Sequence, residues 1–185
     1  MPVEEQDLQE RAGRITTVVF DVDGVLTDGG LYLDSSGSEI KRFNVHDGTG
    51  IKYLRRSGLN LAIISGRESA AVEARAGDLG IEHVYQGYKV KVKAYEDLKE
   101  RLSVCDEEIT YVGDDLPDIP VMRLCGLAVA VADAREEVRQ AAHLVTDLPG
   151  GAGAAREFAE WFLKITGRWE GLLSRYYPEG EASLE

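Results

Sequence analysis

Cysteine is scarce: Cys105 and Cys125 are the only two in 185 residues. They are too few for a disulfide framework and match no metal-ligand spacing, so they read as reduced thiols of a cytoplasmic protein, with a single disulfide as the alternative. Long apolar runs are absent too, since no window approaches the roughly 18 apolar residues that a membrane span needs. Met1 to Arg14 is acidic and polar without an apolar segment, so the expectation is an untargeted, non-membrane chain with a frayed N-terminus. Basic residues are outnumbered, 21 Lys and Arg against 33 Asp and Glu, for a net charge of −12. That balance excludes the cation excess with which proteins neutralise a nucleic-acid backbone. An anionic ligand would have to be met locally, by a metal and a few placed cations. There is no internal repeat and no low-complexity tract.

What is present is the composition of an ordinary globular chain, 44% hydrophobic and 29% charged. Its length suits one α/β domain better than two. The expected layout is a flexible segment over 1–14, a domain over 15–166 and a tail over 167–185. Short β-branched or apolar runs at 15–20, 60–64, 83–85, 109–112, 127–131 and 143–145 alternate with helical patterns at about 48–57, 68–79, 91–103, 116–124, 135–141 and 151–166. This alternation predicts a Rossmann-like, doubly wound parallel sheet with helices on both faces. Two short alternating runs around Ser35-Ser36-Gly37-Ser38 predict a β-hairpin flap over 31–43. The tail carries Trp169, Leu172, Leu173, Tyr176 and Tyr177, too apolar to hang free, and is expected to pack on its own or a neighbouring subunit.

The chemistry-bearing residues sit just after predicted strands, where open α/β sheets bind ligands. Asp21 and Asp23 end the first strand, and two like charges so close need a shared cation or proton. Ser65-Gly66-Arg67 follows the second strand, and its hydroxyl and amides suit a phosphoryl group, although a plain helix cap has the same composition. Lys91 opens the next helix, and Gly113-Asp114-Asp115-Leu116-Pro117-Asp118 ends the fourth strand in carboxylates again. Singly, Lys91 reads as a solvated charge, and Asp115 or Asp118 as a carboxylate favouring a helix start. Their order changes the odds: carboxylate pair, hydroxyl, lysine, carboxylate pair.

That order, with the literal run Asp21-Val22-Asp23-Gly24-Val25-Leu26-Thr27-Asp28, resembles the haloacid dehalogenase superfamily of phosphotransferases over residues 15 to 165. The resemblance implies a nucleophile at Asp21, a general acid/base at Asp23, phosphoryl-binding roles for Ser65 and Lys91, and Mg²⁺ held by Asp21, Asp114 and the backbone carbonyl of Asp23. These residue types fit phosphomonoester hydrolysis. A carboxylate nucleophile splits the reaction through an aspartyl phosphate, and charge neutralisation supplies most of the acceleration.

Relatives with a separate cap domain insert it between the nucleophile and the hydroxyl or between the hydroxyl and the lysine. The intervals here, 44 and 26 residues, leave no room for one. An open cleft makes a neighbouring subunit the natural lid. Phe43-Asn44-Val45-His46-Asp47-Gly48-Thr49-Gly50, Arg67 to Arg75, Tyr85-Gln86-Gly87 and Gly150-Gly151-Ala152-Gly153 are similar to the capless, tetrameric phosphatases of 3-deoxy-D-manno-octulosonate 8-phosphate. Membership would imply lipopolysaccharide biosynthesis, a homotetramer and a sugar acid phosphate substrate. Asn44, Val45, His46, Asp47, Gly48, Lys52, Arg67 and Arg75 would contact that substrate, some across a subunit boundary. His46 stands where that group usually has arginine, and Ser65 replaces a common threonine. Phosphatases of nine-carbon keto-sugar acid 9-phosphates are the alternative. A phospho-receiver domain, which holds its phosphorylated aspartate on a later strand, and a non-catalytic sugar-phosphate binding module are readings of another class.

Overall fold

The computed structural model describes residues 5–177. Its elements in chain order are α1 (Glu5–Arg14), β1 (Thr17–Phe20), β2 (Tyr32–Leu33), β3 (Glu39–Ile40), α2 (Val45–Arg56), β4 (Asn60–Ile64), α3 (Ala70–Leu79), β5 (His83–Tyr85) and α4 (Lys91–Leu102). Then follow β6 (Ile109–Gly113), α5 (Ile119–Met122), β7 (Leu127–Ala130), α6 (Glu136–Ala141), β8 (Leu144–Val145), α7 (Ala154–Ile165) and α8 (Trp169–Leu173). Six strands make one parallel sheet in the order β5-β4-β1-β6-β7-β8. The strands of its centre are buried on both faces, which is why they read as continuous apolar runs rather than alternating ones.

The chain steps outward from β1 to β4 and β5, then crosses back to β6, β7 and β8. Right-handed crossovers therefore put α2 and α3 on one face and α4, α5 and α6 on the other, and α7 returns to pack along α2. Phe158 of α7 meets Phe20 of β1 edge to face with centroids 6.4 Å apart, both fully buried. The reversal of winding direction falls between β1 and β6, and the carboxyl ends of those strands hold the predicted site.

The hairpin forms as expected, β2 pairing antiparallel with β3. Its turn is tied by Asp34, whose Oδ1 accepts from the Ser36 and Ser38 amides and the Ser36 hydroxyl. Between Asp21 and Ser65 the chain holds only this hairpin, α2 and β4, with no separate cap domain.

Two terminal expectations change. Residues 5–14, expected to fray, form α1: Ala12 is fully buried, and the Arg11 guanidinium donates to the carbonyl of Gly126 at 2.8 Å. The helix was hidden because ten mostly polar residues need only a narrow buried stripe. Of the tail, α8 packs on its own subunit, with Leu172 buried and Trp169 edge-on to Tyr53, whereas 178–185 lie outside the described residues. The stretch 116–124 is a 3₁₀ turn over Leu116–Asp118 followed by the short α5, because Pro117 and Pro120 lack amides to donate.

Candidate active site

β1 delivers Asp21 to the carboxyl edge of the sheet, and the Asp21 amide prolongs the ladder by donating to Val112 O at 3.0 Å. The chain then makes one tight helical turn, the Leu26 and Thr27 amides both donating to Val22 O. The buried Thr27 hydroxyl donates to the same carbonyl and accepts from the amides of Gly24 and Gly29. Gly24 has φ +88°, and a Cβ there would lie 2.1 Å from Asp114 Oδ2, so only glycine lets this loop pass the carboxylate at the end of β6. Gly150 supports the loop from below at a distance no side chain would fit, with the carbonyl of Gly24 1.7 Å from where its Cβ would be.

Lys91, first residue of α4, is 5% exposed and aims its ammonium between Asp21 Oδ1 at 2.8 Å and Asp118 Oδ1 at 2.6 Å. Burial alone would lower its pKa, but the two carboxylates outweigh that and hold it above the ordinary value. Asp118 is fully buried and accepts from four donors: Lys91 and the Tyr111 hydroxyl (2.7 Å) on one oxygen, the Asp114 and Asp115 amides (3.0 and 3.1 Å) on the other. The strand-to-turn segment 113–118 folds back on its own final carboxylate.

Asp114 is the opposite case: its buried Oδ1 has no hydrogen-bond partner among the described residues. Burial, then repulsion from Asp21 and Asp118, pushes its carboxyl up to about 8. Asp21 is pushed up to about 7 by burial and by Asp118, with Lys91 acting against the rise. Oxygens of Asp21, Asp114 and Asp118 all lie within 4.8 Å of one another. The four occupied acceptor positions on Asp118 make it the anchor, while the orphaned oxygen of Asp114 and the charged face of Asp21 suit a divalent cation with oxygen ligands.

Ser65 follows β4 and is almost fully buried, its amide donating to Tyr85 O and its Oγ accepting from the Arg67 amide at 3.3 Å. Asp23 faces the hairpin: Lys41 is ion-paired to it, and Arg67 Nε is 3.9 Å away. Arg67 is also ion-paired to Glu39. These groups surround a cavity of about 300 Å³ lined by Asp21, Asp23, Ser65, Arg67, Lys91 and Asp114, together with Lys89, Asp115 and Asp118. Carboxylates outnumber cations there, so an anion would need a metal to enter comfortably.

The remaining predicted contacts do not line this cavity. Asn44 caps α2, its Oδ1 accepting from the His46 amide at 2.8 Å, and Val45 and His46 are exposed beside it. Asp47, expected at the substrate, is instead buried as the cap of α7, taking the amides of Gly153 (3.2 Å) and Arg156 (2.9 Å). Both its oxygens are thereby committed to a helix end whose N-cap, Gly153, has no side chain and whose Glu157 carboxylate is turned to the amides of Asp147 and Leu148. Gly48 makes room for Arg75, whose Nη2 would be 2.2 Å from a Cβ at that position. Arg75 is held by the Asn44 carbonyl and Asp78, and Lys52 lies 3.7 Å from the same Asp78. Sequence reasoning missed Lys41, Glu39, Lys89 and Tyr111. The signal for the first two was present, since Glu39 and Lys41 alternate around exposed Ile40 and share one face of the hairpin.

Residues 83–157 match the haloacid dehalogenase-like hydrolases. Over 165 residues, 89% of this chain and 88% of the relative, the sequence is 46% identical to the 3-deoxy-D-manno-octulosonate 8-phosphate phosphatase KdsC of Yersinia pestis. The chain belongs to the haloacid dehalogenase-like hydrolases. Among solved structures of this family, a probable YrbI family phosphatase from Pseudomonas syringae superposes with TM-score 0.90 at 52% identity, covering 93% of this chain and 98% of that one. The 3-deoxy-D-manno-octulosonate 8-phosphate phosphatase of Moraxella catarrhalis, solved with magnesium, phosphate and 3-deoxy-D-manno-octulosonate (KDO), gives 0.91 at 37% identity over 94% and 99%.

Proposed function

We propose that this protein is a magnesium-dependent phosphomonoester hydrolase whose substrate is 3-deoxy-D-manno-octulosonate 8-phosphate. The observation that carries the reading is the cluster itself. Asp21, Asp23, Ser65, Lys91 and Asp114 come from four separate segments to one cavity, in a chain 46% identical to a phosphatase of that substrate.

In this reading an oxygen of Asp21 attacks phosphorus. A P–O bond to Asp21 forms as the ester P–O bond breaks, and Asp23 gives its proton to the departing alkoxide. Asp23 then takes a proton from the water that attacks the aspartyl phosphate, releasing phosphate and free Asp21. Lys91 and the Ser65 hydroxyl gather the charge of the transferring group, and Asp118 holds Lys91 in place from behind. Asp21, Asp114 and the backbone carbonyl of Asp23 would hold magnesium, which would supply the charge neutralisation that lets one anion approach another.

Arg67 reaches the sugar acid from within the subunit. Asn44, Val45, His46, Lys52 and Arg75 reach it from a neighbouring copy of the proposed homotetramer. Exposed Leu31, Leu33, Ile40 and Val45 near the hairpin support an interface there. The reading places the protein in the cytoplasm, in keeping with free Cys105 and Cys125. The test is a phosphate-release screen with magnesium across eight-carbon and nine-carbon keto-sugar acid phosphates and simple hexose phosphates. The eight-carbon substrate is expected to give the highest kcat/KM; preference for the nine-carbon acid would reassign the substrate, and equal rates on all would refute the sugar-acid reading.

A further inference from the structure

The hairpin contributes two charged side chains to the catalytic loop that the scheme above leaves without a role. Glu39 opens the returning strand and Lys41 directly follows it, two residues on and projecting toward the same face, while Ile40 between them points to solvent, 53% exposed. The Lys41 side chain is only 4% exposed, as withdrawn from water as Lys91, although it sits on a surface flap rather than at the start of a packed helix. An ammonium so far from water must be paired. Its partners are the Asp23 carboxylate and Glu39 Oε1, the latter at 2.8 Å. Glu39 extends its other oxygen to Arg67, whose Nε is 3.9 Å from Asp23 Oδ2, so two carboxyl groups and two cations close a ring. Lys41 does not line the cavity; it approaches Asp23 from the hairpin side.

We propose that Lys41 is the positioning residue for the Asp23 carboxylate, so that the hairpin flap sets the orientation of the group that carries the proton. The proposal rests on the phosphatase reading and on Asp23 as its acid. Lys41 fixes Oδ1 of Asp23, leaving Oδ2 on the side of Arg67, which lines the cavity together with Asp23. Glu39 fixes Lys41 and restrains Arg67 in the same contact, so displacement of the hairpin would release the acid and the substrate-side cation together.

The test separates proton delivery from other roles by varying the leaving group. An alkyl phosphate expels an alkoxide that needs a proton, whereas p-nitrophenyl phosphate expels a phenolate that does not. With Lys41→Met, kcat/KM on the alkyl ester is expected to fall about 10- to 100-fold and on p-nitrophenyl phosphate to stay within about threefold, since general acid catalysis is worth 10² or more only where a proton is required. Lys41→Arg should restore most of the difference, and Glu39→Gln should show a smaller loss with the same leaving-group bias. Circular dichroism of each variant checks the fold, and Glu39→Gln and Lys41→Arg carry the test if Lys41→Met is unfolded. Equal losses on the two esters, or no loss, would overturn the assignment. Absence of turnover by the unaltered protein on both esters would instead refute the phosphatase reading.

Discussion

Replacing Asp118 with asparagine should cost stability first and activity as a consequence, and the size of the effect follows from four hydrogen bonds. The carboxylate accepts two donors on each oxygen, at 2.6 to 3.1 Å, with no exposure to solvent. Asparagine keeps one acceptor oxygen. Whichever way the amide turns, its NH₂ faces either Lys91 and Tyr111 or the part-buried amides of Asp114 and Asp115, so two donors lose the acceptor they have on Asp118. At about 1–3 kcal/mol for each orphaned donor, Asp118→Asn loses about 2–6 kcal/mol. That is a large share of the 5–15 kcal/mol typical of a domain. In urea, with a slope of about 2 kcal/mol per molar, the midpoint falls by about 1–3 M. The loss should be deeper at pH 6 than at pH 9, because at the higher pH the variant also relieves repulsion on ionised Asp21 and Asp114, whose carboxyls titrate near 7 and 8.

Asp114→Asn is the control with the opposite sign. Its carboxyl is raised in the fold, so the native state holds its proton more tightly than the unfolded chain, and stability declines as pH rises from about 4 to 8. Removing that charge should raise metal-free stability at pH 8.5 by about 1–3 kcal/mol and abolish stabilisation by magnesium. Urea unfolding with and without magnesium, at pH 6, 8.5 and 9, measures all of this. An unchanged midpoint in Asp118→Asn together with lost activity would refute the anchor assignment and make Asp118 a direct participant.

Gly24→Ala forces a Cβ against Asp114 Oδ2 in a backbone region that disfavours side chains. It should cost at least about 1 kcal/mol and weaken the thermal shift with magnesium, and a variant with normal magnesium response would show that the loop does not need this approach. His143 Nδ1 accepts from the Ala128 amide at 2.9 Å, and burial, reinforced by Arg11, holds its pKa below the ordinary value. Its contribution is therefore complete above about pH 6.5 and is lost as pH falls below that, so His143→Asn should flatten the acid limb of the stability profile below about pH 6.5. An unaltered slope in the variant would assign that acid sensitivity elsewhere.

The sheet was legible because each of its six strands is a short apolar run followed by a turn, and the hairpin because Ser35 to Ser38 interrupts two alternating pairs. The residues of the cavity were legible for the same reason: Asp21, Ser65 and Asp114 each lie at the carboxyl end of a strand, a position that chain order alone specifies. The rest depends on contacts between distant segments. Asp47 belongs to a run that looks like a substrate loop, and nothing local reveals that the start of α7, more than a hundred residues later, lacks a cap and takes its carboxylate. Asp118 reads as an ordinary acidic helix start until the turn folds it beneath Lys91. Lys41 reads as a flap charge until the hairpin lies over Asp23. Polar α1 carried too weak a stripe to be distinguished from a frayed end.

The central claim is that the two aspartates after β1 are unequal, Asp21 taking the phosphoryl group and Asp23 the proton. Its most direct measurement is chemical trapping during turnover: acid quench, reduction of any aspartyl phosphate with borohydride, and peptide mass spectrometry across residues 15–28. The account predicts homoserine at position 21, aspartate retained at 23, and no trapped product in Asp21→Asn. Homoserine at position 23, or continued turnover by Asp21→Asn, would contradict it.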